Sequence, residues 1–338
     1  MSDVARQSVT MDDVARRAGV SRGTVSNALN HPDRVAATTL AAVRQAIGEL
    51  GFARNDHARS LAGGRSTTIG LVLTDLENSY FVDIAQGAED GAMQHGLTIL
   101  IANSQRDEAR QRTYLDLFEE ARLAGTLLAP HTASQAIAGT VQSSRPLVAL
   151  NVALDPALRC SVSVDNELGG YLAAQHLIET GCRHIAYIGG SDRLDPIRER
   201  RQGVRRAVAD SGRQIRLTEI TVPAVRTPDG RTAALDILQR PPDARPDGIA
   251  AASDLLALGL VQVLHDKVRI PEEIAIIGYD DNAAARESIV PITTIAQPGH
   301  EVGRAGADLL REELSGQPHT HRQIRLAPQL RIRQSTAG

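Results

Sequence analysis

Hydrophobic positions along the chain follow two different rhythms. As far as Leu50 the rhythm is helical: Val14 and Ala18 lie four apart, Val25 and Leu29 lie four apart, and Leu40, Val43, Ile47 and Leu50 keep the three-four-three spacing of one buried face. Gly19 supplies a stop for the first stretch, Ser21 a cap for the second, and Gly51 a stop for a third helix expected from about Ala37 to Leu50. Residues 10–53 are thus expected to form three short helices around one small core of marginal independent stability. From Thr68 onward the rhythm changes. Apolar runs of strand length occur at residues 69–73 and 97–103, with a helix expected from Tyr80 to His95 between them, and again at 126–129, 147–151, 185–188, 248–252 and 274–278. Such alternation predicts parallel sheets with helices on both faces. The strands are too many for one sheet of ordinary size, so two doubly wound lobes are expected, with a ligand held between them outside the carboxyl ends of the strands.

The first two helices, joined by Gly19-Val20 and capped by Ser21, have the form of a helix-turn-helix. Its second helix would lie in the DNA major groove, with Arg22, Gly23 and Asn27 toward base edges and the hydroxyls of Ser21, Thr24 and Ser26 toward phosphates. Any small helical hairpin would also fit this stretch taken alone. Next comes N-D-H-A-R-S-L-A-G at 55–63, capped by Asn55 and ended by Gly63 and Gly64.

These residues carry a family resemblance. The pattern D-V-A-x-x-A-G-V-S-x-x-T-V-S from Asp13 to Ser26, followed by N-x-x-A-x-x-L-A-G from Asn55 to Gly63, resembles the LacI/GalR family of transcriptional regulators over nearly the whole chain. The resemblance implies a hinge that becomes helical when two subunits meet on a near-palindromic operator, with Leu61 wedged into the minor groove. A helix of this length is too short to persist alone in water, and an apolar wedge kinks a duplex by unstacking one step. Off DNA, a flexible linker is an equally fitting description. Met11, Asn30, Asn55, His57 and Ala58 complete the expected DNA-facing set.

For the core, the resemblance implies the bilobal fold of sugar-binding periplasmic proteins. The divisions expected are an N-lobe at about 67–165 and 294–318, a C-lobe at about 166–293 and 319–334, a linker at 54–66 and a disordered tail at 1–9. Crossings between lobes then fall near Asp165, Thr293 and His319. Family positions for effector contacts fall on Tyr80 and Phe81 in D-L-E-N-S-Y-F, on Arg200 in R-E-R-R-Q-G, and on Asp280 in I-I-G-Y-D-D. Asn151, Asp165 and Ser253, beside Asp254, are further candidates at strand ends. An arginine fork opposed by a carboxylate brackets a polyol or heterocycle with charge-assisted hydrogen bonds. For each of these residues taken singly, a solvated charge or a structural ion pair is the plainer alternative.

Departures from the family pattern narrow the ligand. Asn27 replaces the arginine common in the recognition helix, and asparagine suits adenine where arginine prefers guanine. Gly23 offers no side chain to read a base and costs the helix about 1 kcal/mol relative to alanine. Val225 stands where a stacking aromatic is common, and Ser253 where an asparagine is. With no tryptophan and only eight Phe and Tyr, stacking would rest on Tyr80, Phe81 or Tyr279, which favours a small or weakly stacked effector.

Composition adds bounds. At 338 residues with 42% hydrophobic residues, the chain is expected to fold into two or three soluble globular domains, with no apolar run of membrane-spanning length. The polar first nine residues carry no apolar signal core, so a cytoplasmic location is expected. Cys160 and Cys182 lack metal or redox spacing and read as reduced core thiols. The ten histidines show no H-E-x-x-H or paired Cys/His spacing, so neither a metal nor a cofactor is expected. Within a net charge of -3, residues 1–65 hold nine arginines against six acidic residues. A basic head on an acidic body suits DNA held at one end. No leucine heptads follow Arg333, so homodimers are the expected assembly. Three classes fit lobes of this kind: an effector-controlled DNA-binding regulator, most often a repressor; a transport solute-binding protein; and a sugar- or nucleoside-processing enzyme. The headpiece favours the first, with a sugar-like metabolite as effector. The second would need a signal peptide, and the third a nucleophile or metal cluster.

Overall fold

The structure is a computed structural model that describes residues 9–52, 66–131 and 145–337. It divides into two compact units, Met1–Arg65 and Ser66–Gly338. In the first, α1 (Met11–Ala18), α2 (Arg22–Asn30) and α3 (Ala37–Leu50) close around Val14, Val25, Ala28, Val43 and Ala46. Local chemistry sets each boundary. Thr10 and Asp13 form a reciprocal capping box at the start of α1, and Gly19 ends it at φ 68°, in the left-handed region that glycine enters without strain. Ser21 caps α2 by accepting from the Thr24 backbone N–H at 3.1 Å.

The second unit contains two six-stranded sheets. Lobe 1 has the order β11-β5-β4-β3-β1-β2, built from β1 (Thr68–Leu73), β2 (Thr98–Asn103), β3 (Thr126–Leu128), β4 (Leu147–Leu150), β5 (Ser161–Val164) and β11 (Gln323–Leu326). Lobe 2 has the order β12-β10-β9-β8-β6-β7, built from β6 (His184–Gly189), β7 (Arg216–Thr221), β8 (Gly248–Ala251), β9 (Ala275–Asp280), β10 (Thr293–Ala296) and β12 (Gln329–Arg331). All pairings are parallel except β10 with the edge strand β12. Helices α4 (Ser79–Gln94), α5 (Glu108–Glu120) and α11 (Gly299–Leu314) serve lobe 1. Helices α6 (Asn166–Glu179), α7 (Asp195–Asp210), α8 (Thr227–Leu238), α9 (Asp254–Leu264) and the single turn α10 (Ala283–Arg286) serve lobe 2.

The chain passes between sheets after Val164, after Ala296 and after Leu326. The last two crossings lie later than Thr293 and His319, where the family pattern put them. Residues 293–296 are a full strand of the second sheet, beside β9, and residues 323–326 pair with β5 in the first. Five strands, β5, β7, β10, β11 and β12, have no counterpart among the apolar runs: they are short, or carry polar residues on both faces.

Close helix crossings fix the lobes internally. A Cβ on Gly170 of α6 would stand 1.9 Å from the backbone oxygen of Arg200 on α7, and one on Gly87 of α4 would stand 1.9 Å from that of His300 on α11. Absence of side chains at those points lets each pair of backbones touch, and in lobe 2 this sets the depth of Arg200.

Candidate functional site

The strand ends define a cleft between the lobes. Its cavity of about 450 Å³ is lined by the segments that follow β1, β2, β3, β4, β6, β7, β8 and β10 and by the last residue of β9. That is the carboxyl-end crevice such sheets place at their switch points.

At the floor lies Asp280, the last residue of β9, buried and held at φ 119°. So strained a backbone in a non-glycine residue persists only where its surroundings over-determine it, and such residues gather at binding sites. Its carboxylate accepts from Asn78 Nδ2 of lobe 1 at 2.7 Å and from Gln297 Nε2 at 2.7 Å. Burial pushes the carboxyl up; the Arg200 guanidinium and the two amides act against that. Two of its roughly four lone-pair positions remain for a ligand. Because Gln297 must donate to this carboxylate, its Oε1 faces the other way, buried and without a hydrogen bond.

Arg200 is buried beside it. Its Nε donates to Asn166 at 3.0 Å, one terminal nitrogen donates to the Ala252 backbone oxygen at 2.6 Å, and the other stands 3.9 Å from Asp280. The guanidinium rests 3.6 Å over the Tyr279 ring. Tyr279 therefore serves as a shelf under the arginine and does not line the cleft, which removes it from the stacking residues expected. Tyr80 and Phe81 do line it, their rings tilted with centroids 5.4 Å apart, and Tyr80 donates to Asn151 Oδ1 at 2.9 Å. Asn151 sits at φ 60°. Val225, Leu194 and Ile197 form the apolar wall of lobe 2.

Two expected residues have other tasks. Asp165 is absent from the cleft lining: its Oδ1 caps α6 by accepting from the Leu168 N–H at 2.9 Å and pairs with Arg325 at 2.8 Å. A carboxylate at a helix start is drawn to the free N–H groups there. Ser253 reaches the cleft, yet its hydroxyl caps α9 through the Leu256 N–H and donates to the Val225 oxygen at 2.9 Å, holding the wall loop. Asp254 lies behind the site, where burial pushes its carboxyl well up, with Asp280 nearby adding to it.

Residues missed by sequence reasoning include Asn78, Arg106, His131 and Gln297. All four follow strand ends, so the rule that singled out Asn151 covers the first three; Gln297 follows β10, which no apolar run marks. Burial, reinforced by Arg106, holds the His131 imidazole below its ordinary range. At the rim, buried Asp75 of lobe 1 pairs with Arg106 at 2.8 Å and with Arg226 of lobe 2 at 3.4 Å.

In the headpiece, Ser21, Arg22, Gly23 and Asn27 are exposed on α2, Thr24 and Ser26 are half-buried, and Val25 and Ala28 face the core. The Ser21 and Thr24 hydroxyls are 2.9 Å apart. Met11 is half-buried at the start of α1, and Asn30 ends α2. Asn55, His57, Ala58 and Leu61 lie outside the described residues.

Comparison with known proteins places this architecture. Residues 10–55 match the family model for bacterial regulatory proteins of the lacI family, and residues 174–336 that for a periplasmic binding protein-like domain. The transcriptional repressor PurR of Aliivibrio fischeri strain MJ11 is 30% identical over 329 residues, 96% of this chain and 98% of that protein. PurR of Vibrio cholerae serotype O1 strain M66-2 is 31% identical over 324 residues, 95% and 96% of the two chains. Among solved structures, the regulator CelR in complex with cellobiose is 30% identical with a TM-score of 0.71, covering 97% of this chain and 99% of that one. The lac repressor dimer bound to operator and the anti-inducer ONPF is 25% identical with a TM-score of 0.83, covering 98% and 100%. The chain belongs to the LacI family of bacterial regulators: it is a DNA-binding transcriptional repressor with an effector-binding core, and not an enzyme. No helix among the described residues is long and apolar enough to cross a membrane.

Proposed function

We propose that this repressor works in the cytoplasm as a homodimer on a near-palindromic operator, and that a small polyhydroxylated metabolite, a sugar or close relative, controls its grip. The observation that carries the ligand class is the cleft floor. The Asp280 carboxylate offers acceptors, and the outer nitrogen of Arg200 offers donors 3.9 Å away. Adjacent hydroxyls on a ring, each both donor and acceptor, match that alternation. The aromatic surface is confined to Tyr80 and Phe81, and the opposite wall is aliphatic, which suits the edge and face of a pyranose better than a large planar ring. The cellobiose bound by CelR supports the same class.

Dimerisation is supported by the free edge of lobe 1. Among the described residues β2 pairs only with β1, and Leu100 and Ile101 on it are about half exposed, with Met93 on α4 also exposed. An apolar edge strand of this kind is normally covered. On DNA, Arg22 and Asn27 read base edges, Ser21, Thr24 and Ser26 hold phosphates, and Leu61 wedges the central step. Effector binding shifts the lobes between two arrangements that present the paired hinges differently; the sign of the response follows from which arrangement the ligand prefers.

The test is a thermal-shift screen of the purified protein against mono- and disaccharides, polyols, sugar acids, purine bases and nucleosides. A sugar-class hit that raises Tm in the wild type and not in Asp280→Asn supports the reading. A hit confined to bases or nucleosides replaces the ligand class, and a shift retained in full by Asp280→Asn removes Asp280 from the site.

A further inference from the structure

Away from the cleft, lobe 1 gathers a second set of reactive side chains. Cys160, Glu313, His319 and His321 each place one ligand atom within 4.8 Å of all the others. Cys160 directly precedes β5, Glu313 lies in the last turn of α11, and the two histidines lie in the loop from α11 to β11. The register that sets Gln323 opposite Ser161 draws this loop over the cysteine.

The spacing has the dimensions of a coordination shell. Cys160 Sγ is 3.1 Å from His319 Nε2 and 3.7 Å from His321 Nδ1. Glu313 Oε1 is 3.9 Å from the first nitrogen and 3.4 Å from the second. A tetrahedron with ligands about 2.0–2.3 Å from its centre has edges of roughly 3.3–3.8 Å. The four measured edges bracket that range.

The Glu313 side chain is only 6% exposed, and its Oε1, 3.4 Å from His321 Nδ1, is buried without a hydrogen bond. A carboxylate oxygen left so is destabilising unless a cation satisfies it. The surroundings also fit. The Arg322 backbone N–H donates to Cys160 Sγ at 3.4 Å. Glu312 Oε2 stands 3.6 Å from His319 Nδ1, the nitrogen turned away from the cluster, and Arg322 grips Glu312 through two bonds of 2.7 and 2.8 Å. A carboxylate behind a ligating imidazole is the usual outer support of a metal site.

We propose that Cys160, Glu313, His319 and His321 form a zinc site. One thiolate, two imidazoles and one carboxylate in tetrahedral array select zinc over the hard cations calcium and magnesium, which prefer oxygen alone. Four protein ligands close the shell, so the ion is structural and ties the loop between α11 and β11 to the start of β5. Spacing along the sequence concealed the site. Only His319-Thr320-His321 is a local signal, and the partner cysteine arrives from a distant segment.

The test uses the full chain, stripped by chelator and titrated with zinc or cobalt(II). The expected result is one metal per chain, intense visible bands of tetrahedral cobalt, and a thiolate-to-cobalt charge-transfer band. Cys160→Ser should lose the charge-transfer band and weaken zinc by more than about a hundredfold, and Glu312→Gln by the roughly tenfold to hundredfold typical of an outer support. His300→Gln, at an exposed pair with Asp90 elsewhere on lobe 1, should bind as wild type does. Should Cys160→Ser misfold, His321→Asn on the half-exposed side of the cluster gives the same reading. A pale octahedral cobalt spectrum, or zinc affinity unchanged in Cys160→Ser or His321→Asn, would overturn the proposal.

Discussion

Replacing Arg226 with alanine removes one strut between the lobes without touching the cleft floor. Arg226 precedes α8 in lobe 2, and its guanidinium stands 3.4 Å from Asp75 and 3.9 Å from Glu77 in lobe 1. Its side chain is 38% exposed, so the pair belongs with solvent-screened bridges that contribute roughly 0.2–1 kcal/mol. Its Nε is buried with no partner, which subtracts from the gain. Asp75 keeps its 2.8 Å pair with Arg106 and the N–H of Glu77 in the variant, so the buried carboxylate is not orphaned. Loss of up to about 1 kcal/mol from the closed arrangement raises the apparent Kd of a ligand that needs closure by up to about fivefold. Tm should fall by no more than about 4 °C. Isothermal titration of wild type and Arg226→Ala with the strongest thermal-shift ligand measures this, and the double variant with Asp75→Asn tests whether the effect runs through that carboxylate. An Arg226→Ala protein that binds ligand as tightly as wild type, or more tightly, refutes the strut.

Leu61→Ala should weaken operator binding while leaving effector affinity and assembly unchanged; unchanged operator affinity in a gel-shift titration would rule out the wedge. Gly170→Ala must move α6 from the Arg200 backbone, at a cost of about 1–3 kcal/mol, so lower Tm and weaker effector binding are expected together, and normal values of both would show the crossing to be slack. His176 is buried against Thr336, its Nε2 2.7 Å from the hydroxyl, and burial holds its imidazole below the ordinary range. A group depressed in the native state contributes stability above its unfolded value near 6.5 that is lost as pH falls toward the native one. Wild-type Tm should therefore drop between pH 7.5 and 5.5, with a shallower drop in His176→Gln; parallel curves would assign the acid sensitivity elsewhere, to His131 or His184.

Much of this architecture is legible in the sequence where one physical signal acts alone. α3 runs from Ala37 to Leu50 as its spacing and Gly51 require, and the buried central strands β1, β4, β8 and β9 coincide with apolar runs because both their faces meet helices. β7, R-L-T-E-I-T, is illegible by the same logic: an edge strand half in solvent has no apolar run to show. β5, S-V-S-V, hides because its serines are buried yet hydrogen-bonded, as where Ser161 Oγ accepts from Leu154 N–H. In the cleft, Arg200 and Asp280 were legible through motif position, whereas Tyr279 was misplaced, since which face of β9 a side chain takes depends on what packs there. Gln297 and the Cys160 cluster depend on contacts between distant segments, which no local pattern records.

Occupancy of the cleft is proposed to change the grip on DNA. Its most direct measurement is operator affinity of the full-length protein, by fluorescence anisotropy at fixed salt, with and without saturating thermal-shift ligand, in wild type and in Asp280→Asn. A change of roughly 5- to 150-fold is expected in the wild type and none in the variant at the same ligand concentration. Equal operator affinity with and without ligand in the wild type would contradict it.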